Sequence, residues 1–336
     1  MIIKSDEQYR INFQEYVACA SAVQKITHNH QDLSYLDFYG RDLLNAIFVM
    51  GLLPSETKSQ EVELSRIDEI KFKRHMIQSV LKVDEDHMGN RYLVLDDDKT
   101  IYFDSSEMGA TNYWLGMIFS TLLAMYRYGF KYVIHYKRFE KSTYCTQKID
   151  KISYRDSLTG KIVQMSAPDL IAMNGKYCNY GAFEAKGYNQ FRNKIVEKAI
   201  NQVQQIKAIN GEKNILKIVS YSCITNSGIN LSSIDPMGGN IELSFNRKIA
   251  LLWQYLPIAE LFAELIQRDQ SNLHVHGNYI MYSGEVFDGI RQMLFRYDVF
   301  LMLIREFNLY HYVNEQYGSY KIYERISLDQ PIFVIF

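Results

Sequence analysis

Residues 166–187 read SAPDLIAMNGKYCNYGAFEAKG. Asp169 follows Pro168 at the head of one apolar run, and Glu184 and Lys186 stand one residue apart at the end of the next. Two carboxylates and an ammonium beside apolar, strand-like runs are costly unless something is held between them. On a strand, Glu184 and Lys186 point to one face, while the Ala185 side chain points to the other and leaves its carbonyl near the site. If the run headed by Asp169 pairs alongside, Asp169 meets Glu184 across the ladder. Two carboxylates and a carbonyl oxygen make a hard-oxygen site suited to Mg2+, for which Mn2+ is the expected substitute. Lys186 would sit beside one of the ion's waters, placed to deprotonate or orient it and to offset charge on a reacting phosphate. That is the chemistry of metal-assisted phosphodiester hydrolysis.

The (D/E)xK spacing by itself is unspecific, since it recurs at Glu56–Lys58, Glu69–Lys71 and Asp97–Lys99. Only Glu184–Lys186 closes an apolar run, is followed at once by glycine, and leads into an amphipathic helix; Pro168-Asp169 is the sole Pro-Asp dipeptide of the chain. The elements around it can be read from periodicity. ATNYWLGMIFSTLLAMYRYG predicts a buried helix closed by Gly129, and KYVIHYKR a strand. KIVQM, PDLIAM and YGAFEAKG follow as strand-like runs. QFRNKIVEKAINQVQQIKAIN predicts a helix with Phe191, Ile195, Ala199, Val203 and Ile206 on one face, ended by Gly211, and ILKIVSYSCI is again a strand.

In motif and in this order of helix, three strands, helix, strand, the segment from about Gly109 to Ile224 resembles the PD-(D/E)XK nuclease superfamily. The resemblance implies an α/β, restriction-endonuclease-like core in which Asp169 and Glu184 bind the divalent ion and Lys186 serves the attacking water. Gln202 lies at the edge of the apolar helix face, looking toward the sheet. RecB-type members carry such a glutamine, followed four residues later by tyrosine; here Ile206 takes that place. Gln202 is accordingly the candidate for steadying the scissile phosphate or the lysine. Glu107, just before the first core helix, is the candidate for a glutamate that assists the metal in some members; its alternative is a charge favoured by the helix dipole. By analogy such nucleases act on nucleic acid, DNA favoured, in restriction, repair or antiphage defence. The competing readings are a non-catalytic nucleic-acid-binding module on the same scaffold and a protein-interaction domain with an ordinary Glu184–Lys186 pair.

Charge is unevenly spread. Lys131 to Lys213 holds fifteen Lys/Arg against seven Asp/Glu, an excess of eight positive charges that leaves −9 on the remainder of a chain of net charge −1. A protein that coats nucleic acid by bulk charge is excluded, whereas a local basic rim is not. Lys137, Arg138 and Lys141, interleaved with Tyr132, His135, Tyr136 and Tyr144, and Lys194 and Lys198 on the following helix, are candidate nucleic-acid contacts.

The remaining motifs point elsewhere or nowhere. Four cysteines without a CxxC pair indicate reduced thiols. Lys4, Asp6, Glu7 and Arg10 leave no charged-then-apolar leader, and the longest apolar stretch, Tyr113 to Tyr126, is too short to span a bilayer, so a cytoplasmic protein without membrane contact is expected. Neither GxxxxGK[ST] nor GxSxG occurs. Asp96, Asp97 and Asp98 read as a solvated turn, His274/His276 and His28/His30 as isolated histidines, and the DPMGG run at 235–239 as a turn that a phosphate backbone could approach.

Three regions are expected: an acidic, mostly helical unit over 1–105, the nuclease-like core over 106–235, and a helical region over 236–336. In the first, INFQEYVACASAVQKI and YLDFYGRDLLNAIFVMGLL predict helices and NRYLVLDDDKTIYFD a hairpin. In the last, NRKIALLWQYLPIAELFAELIQR and EVFDGIRQMLFRYDVFLMLIREF predict long helices, the first kinked at Pro257. The flanking regions are the candidate surfaces for a homo-oligomer or a partner protein.

Overall fold

Continuous burial of Leu170–Met173 and alternating burial of Tyr35–Tyr39 are the marks of a central and of a half-exposed strand, and both belong to one mixed sheet. The structure, a computed structural model, describes residues 3–19, 22–25, 35–51, 65–136, 153–156, 168–176, 178–284, 287, 290–306 and 331–336. The chain begins β1 (Gln8–Cys19), β2 (Ala22–Lys25), β3 (Tyr35–Tyr39), α1 (Gly40–Gly51), α2 (Arg66–Val80), β4 (Leu81–Glu85), β5 (Arg91–Leu95) and α3 (Asp97–Thr100). There follow α4 (Ser105–Leu122), β6 (Tyr132–His135), β7 (Ser153–Asp156), β8 (Leu170–Met173), β9 (Tyr180–Tyr188) and α5 (Asn193–Gln204). Next come β10 (Ile206–Ile209), β11 (Ile215–Thr225), β12 (Gly228–Pro236), β13 (Ile241–Ser244), α6 (Arg247–Arg268), β14 (Leu273–His276), β15 (Tyr279–Tyr282), β16 (Met293–Arg296), α7 (Tyr297–Glu306) and β17 (Phe333–Ile335).

These elements form two compact units. One takes Gln8–Phe38 and Met76–Phe245; the other takes Ile2–Glu7, Tyr39–His75 and Asn246–Phe336. The first unit is mixed α/β. Its main sheet runs β4-β5-β1-β12-β11-β9-β8-β6, with β2 and β3 also on β1, and a small sheet runs β10-β13-β7. Pairing is parallel for β5/β1, β1/β12 and β11/β9, and antiparallel for β12/β11, β9/β8 and β8/β6. α4 begins in a capping box, with the Asp104 carboxylate accepting from the Ser106 and Glu107 amides while the Glu107 carboxylate accepts from the Asp104 amide. It runs into a π-helical turn, Leu123–Arg127, and the chain turns away at Gly129 with φ +68°. In the second unit the sheet β14-β15-β16-β17 carries Phe295 and Phe333, and Phe48 of α1 and Phe262 of α6 pack on Phe333. Pro257 lies inside α6, which continues through it. Among the described residues, no helix is long and apolar enough to cross a membrane.

Several expectations are corrected. Residues 1–105 are not a separate helical unit, because β1 to β5 lie in the same sheet as β9 and β11. The stretch from Ile11 is strand: Tyr9, Ile11 and Phe13 are buried at a period of two, and β5 and β12 supply ladder partners on its two edges. The stretch from Tyr35 divides into β3 and α1. The hairpin of β5 closes backward onto β4 around Asp86–Asn90, where the Asp86 carboxylate accepts from the Met88 and Asn90 amides. Asp97 and Asp98 open a short helix instead, and Asp96, largely buried, pairs with Lys99 at 2.9 Å. Residues 236–336 are helical only in part. Met293 and Phe295 are fully buried between β15 and β17, so that this half of the second expected helix is a strand. Finally, α5 is shorter than expected: Ile206 starts β10, and Phe191 lies before the helix with its ring 49% exposed.

Candidate active site

Asp169 comes immediately before β8, and β8 pairs with β9 so that Leu170 stands opposite Phe183. One step further along the antiparallel ladder brings Asp169 beside Glu184, as the alternation of the two runs predicts. The Asp169 amide donates to Glu184 Oε2 at 3.2 Å, and the Ala185 amide donates to Asp169 Oδ2 at 3.1 Å. Lys186 Nζ donates to Glu184 Oε1 at 2.5 Å and lies 3.5 Å from Asp169 Oδ2. Asp169 is 3% exposed and Glu184 0%, so the two carboxylates are held out of water against one ammonium. In such a place an ion pair survives only when further hydrogen bonds satisfy the remaining lone pairs. The two strand amides do so here.

The strand also sorts the side chains by face. Gly187 touches α4 so closely that a Cβ would lie 1.9 Å from the Asn112 carbonyl oxygen, and a Cβ on Gly116 would lie 2.7 Å from the Gly187 nitrogen. Phe183, Ala185 and Gly187 therefore face α4, where Phe183 meets the rings of Tyr128 and Phe130. Glu184, Lys186 and Tyr188 face the other way. Within a strand, a residue's N–H and C=O are directed to the same neighbour. Because the Ala185 amide reaches Asp169, its carbonyl belongs on that side as well.

Two carboxylates and one carbonyl are a lean donor set. Among the described residues there is no group of three or more His, Cys, Asp or Glu that could hold a metal. This suits Mg2+, which keeps several waters and takes one or two carboxylates, better than Zn2+. The pairing of both acids with Lys186 shows that the spot already favours positive charge.

The other sequence candidates fall in several places. Gln202 is half-buried on α5, beside buried Val203. Lys194 and Lys198 are exposed one helical turn apart on α5. Glu107 is exposed in the first turn of α4, where its carboxylate accepts from the Asp104 amide in the capping box. Lys137, Arg138, Lys141, Tyr144, His28, His30 and KIVQM lie outside the described residues. Tyr132, His135 and Tyr136 are buried, at 1%, 4% and 0% exposure, so they cannot form a base-stacking rim as expected. His274 and His276 are exposed on β14. In the DPMGG run Asp235 and Pro236 close β12, and Met237 to Gly239 form the connection towards β13. Gly238 and Gly239 have φ of +106° and +125°, and Lys217 Nζ donates to the Gly238 carbonyl. A Cβ on Gly239 would lie 2.6 Å from the Ile206 carbonyl oxygen, so this glycine serves the close approach to β10.

Sequence reasoning missed an aromatic cluster directly after the motif. In the parallel pairing of β9 with β11, Lys186 stands opposite Tyr221. Tyr221 stacks on Tyr188 with ring centroids 5.8 Å apart, and Phe191 lies 5.0 Å from the Tyr221 ring. The Tyr221 hydroxyl donates to the Gln190 carbonyl at 2.7 Å, and burial pushes this phenol up to about 12. The Arg192 guanidinium sits over the Tyr188 ring at 5.5 Å. The signal is present in GYNQFR, two aromatics and an arginine just past the lysine, but helical spacing groups Phe191 with Ile195 on the apolar face of the following helix. In comparisons with family models, curated proteins and solved structures, nothing matches this chain at a significant level.

Proposed function

We propose that the protein is a metal-dependent nuclease of the PD-(D/E)XK type that hydrolyses phosphodiester bonds, with DNA the favoured substrate. The observation that carries this reading is the convergence of Asp169, Glu184 and Lys186, distant by up to seventeen positions in sequence, into one buried cluster with contacts of 2.5 to 3.5 Å. The element order α4, β6, β8, β9, α5, β11 also supports it. Asp169, Glu184 and the Ala185 carbonyl would hold Mg2+ or Mn2+. When bound, such an ion supplies Lewis-acid charge against the phosphate and lowers the pKa of water.

The chain's own groups do the rest. The Ala185 and Asp169 amides fix both carboxylates in place. Lys186 orients the attacking water and balances charge gathering on the phosphate oxygens. Gln202 and the exposed Lys194 and Lys198 would meet the phosphate backbone.

The test is cleavage of plasmid, linear duplex, single-stranded DNA and RNA with Mg2+, Mn2+ or chelator, alongside Asp169→Ala and Lys186→Ala. Metal-dependent cleavage that falls at least about a hundredfold in both variants is expected. Cleavage unchanged in both would reject the site, and chelator-resistant binding with no cleavage would favour a non-catalytic binding module.

A further inference from the structure

We infer that Phe191 and Arg192, braced by Tyr188 and Tyr221, form a stacking platform for an unpaired nucleobase beside the candidate scissile phosphate, so that the substrate is single-stranded or locally unpaired nucleic acid. The inference rests on the nuclease reading for the identity of its ligand. It rests on different residues for its geometry.

Phe191 is 49% exposed, an apolar side chain in water. It is not loose: its ring leans on Tyr221, which is 0% exposed and anchored through its hydroxyl to the Gln190 carbonyl. Arg192, also exposed, is held over Tyr188; with the Gln190 amide oriented to satisfy both groups, its oxygen accepts from Arg192 Nη2 at 2.8 Å and Nε at 3.0 Å. A fixed aromatic face next to a fixed guanidinium plane is the equipment for stacking a base irrespective of its sequence.

Position and charge favour a nucleic-acid strand as the occupant. Tyr221 and Lys186 are ladder neighbours, with backbones roughly 4.8 Å apart. Phe191 is one ring beyond Tyr221 on the face that carries Lys186. A phosphate drawn to the Lys186 ammonium thus has the base of an adjoining nucleotide within reach of Phe191. Lys194 and Lys198 continue the positive track along α5, with Glu197 the one acid among them. A base paired inside a duplex has both faces covered by its neighbours and cannot use the platform.

The experiment follows the fluorescence of 2-aminopurine in a single-stranded oligonucleotide, and in the same oligonucleotide paired as a duplex, on titration with the full chain in chelator. Binding should be at least about tenfold tighter for the single strand and accompanied by quenching of the base. Phe191→Ala should lose that preference and the quenching, Phe191→Tyr should keep both, and Phe191→Leu, apolar but without a π face, should not. Lys186→Ala, which loses the phosphate contact, should bind the single strand more weakly in chelator, keep the quenching once saturated with it, and fail to cleave when Mg2+ is restored. Equal affinity for single strand and duplex, or single-strand affinity and quenching unchanged in Phe191→Ala, overturns the platform whatever the cleavage result. If the chain never cleaves but the Phe191 dependence holds, the platform stands and the nuclease reading falls.

Discussion

Glu184 has no access to water, and its charge is tolerable because Lys186 and the Asp169 amide reach its two oxygens. Removing the ammonium leaves two acids facing each other in a dry place, a change that typically costs about 3–5 kcal/mol. We expect Lys186→Ala to melt well below the unaltered chain in chelator and to recover most of the loss in millimolar Mg2+, because the ion then takes over the role of the ammonium. Asp169→Asn combined with Glu184→Gln should show no such recovery; thermal denaturation with and without chelator checks both. At this scale the sequence was highly legible. A two-residue alternation and one Pro-Asp step were enough to bring three groups together, since strand geometry leaves their side chains little choice. Phe191 was not legible, because a helical spacing to Ile195 cannot reveal that the helix starts only at Asn193. The same kind of misreading made a rim of Tyr132 and Tyr136, whose burial depends on what covers the sheet.

At the scale of elements, the site depends on how closely α4 approaches β9. Alanine is favoured over glycine in a helix interior by about 1 kcal/mol, so Gly116→Ala would stabilise an isolated α4. Here its methyl would meet the Gly187 backbone, and the expected sign is reversed: a loss of about 1–3 kcal/mol, with cleavage falling too because Gly187 adjoins Lys186. Gly187→Ala should be worse. Denaturant titration of the two variants beside an exposed control, Gly109→Ala, whose methyl meets nothing within 4 Å, separates the packing effect from helix propensity. Helix α4, β6, β8, β9 and β11 were all foreseen within a few residues because each is strongly apolar. β1 was not. Its small residues after Tyr16 mimic a helix, and only the ladder partners β5 and β12, distant in sequence, decide the matter.

On the scale of the whole molecule, the expected boundary near residue 105 cuts through the main sheet. A fragment of residues 106–235 would keep Asp169, Glu184 and Lys186 but expose the edge of β12 that β1 covers along seven register pairs, from Asn12–Asn230 to Ala18–Pro236. We expect this fragment to aggregate and to show no cooperative melting, whereas the full chain melts cooperatively. A fragment that folds and cleaves would show β1 to be dispensable. Length and periodicity could not disclose this arrangement, because a parallel neighbour in a sheet leaves no mark at a fixed spacing in sequence.

The pairing of β1 with β12 bears on how the protein is made. A ribosome releases β1 some two hundred codons before its partner, with Asn12 reaching Asn230 across a separation of 218. Over that interval the nascent strand has an uncovered edge, and the main sheet cannot close until β12 has emerged. The sheet that holds Asp169, Glu184 and Lys186 is therefore finished only after all three residues have emerged.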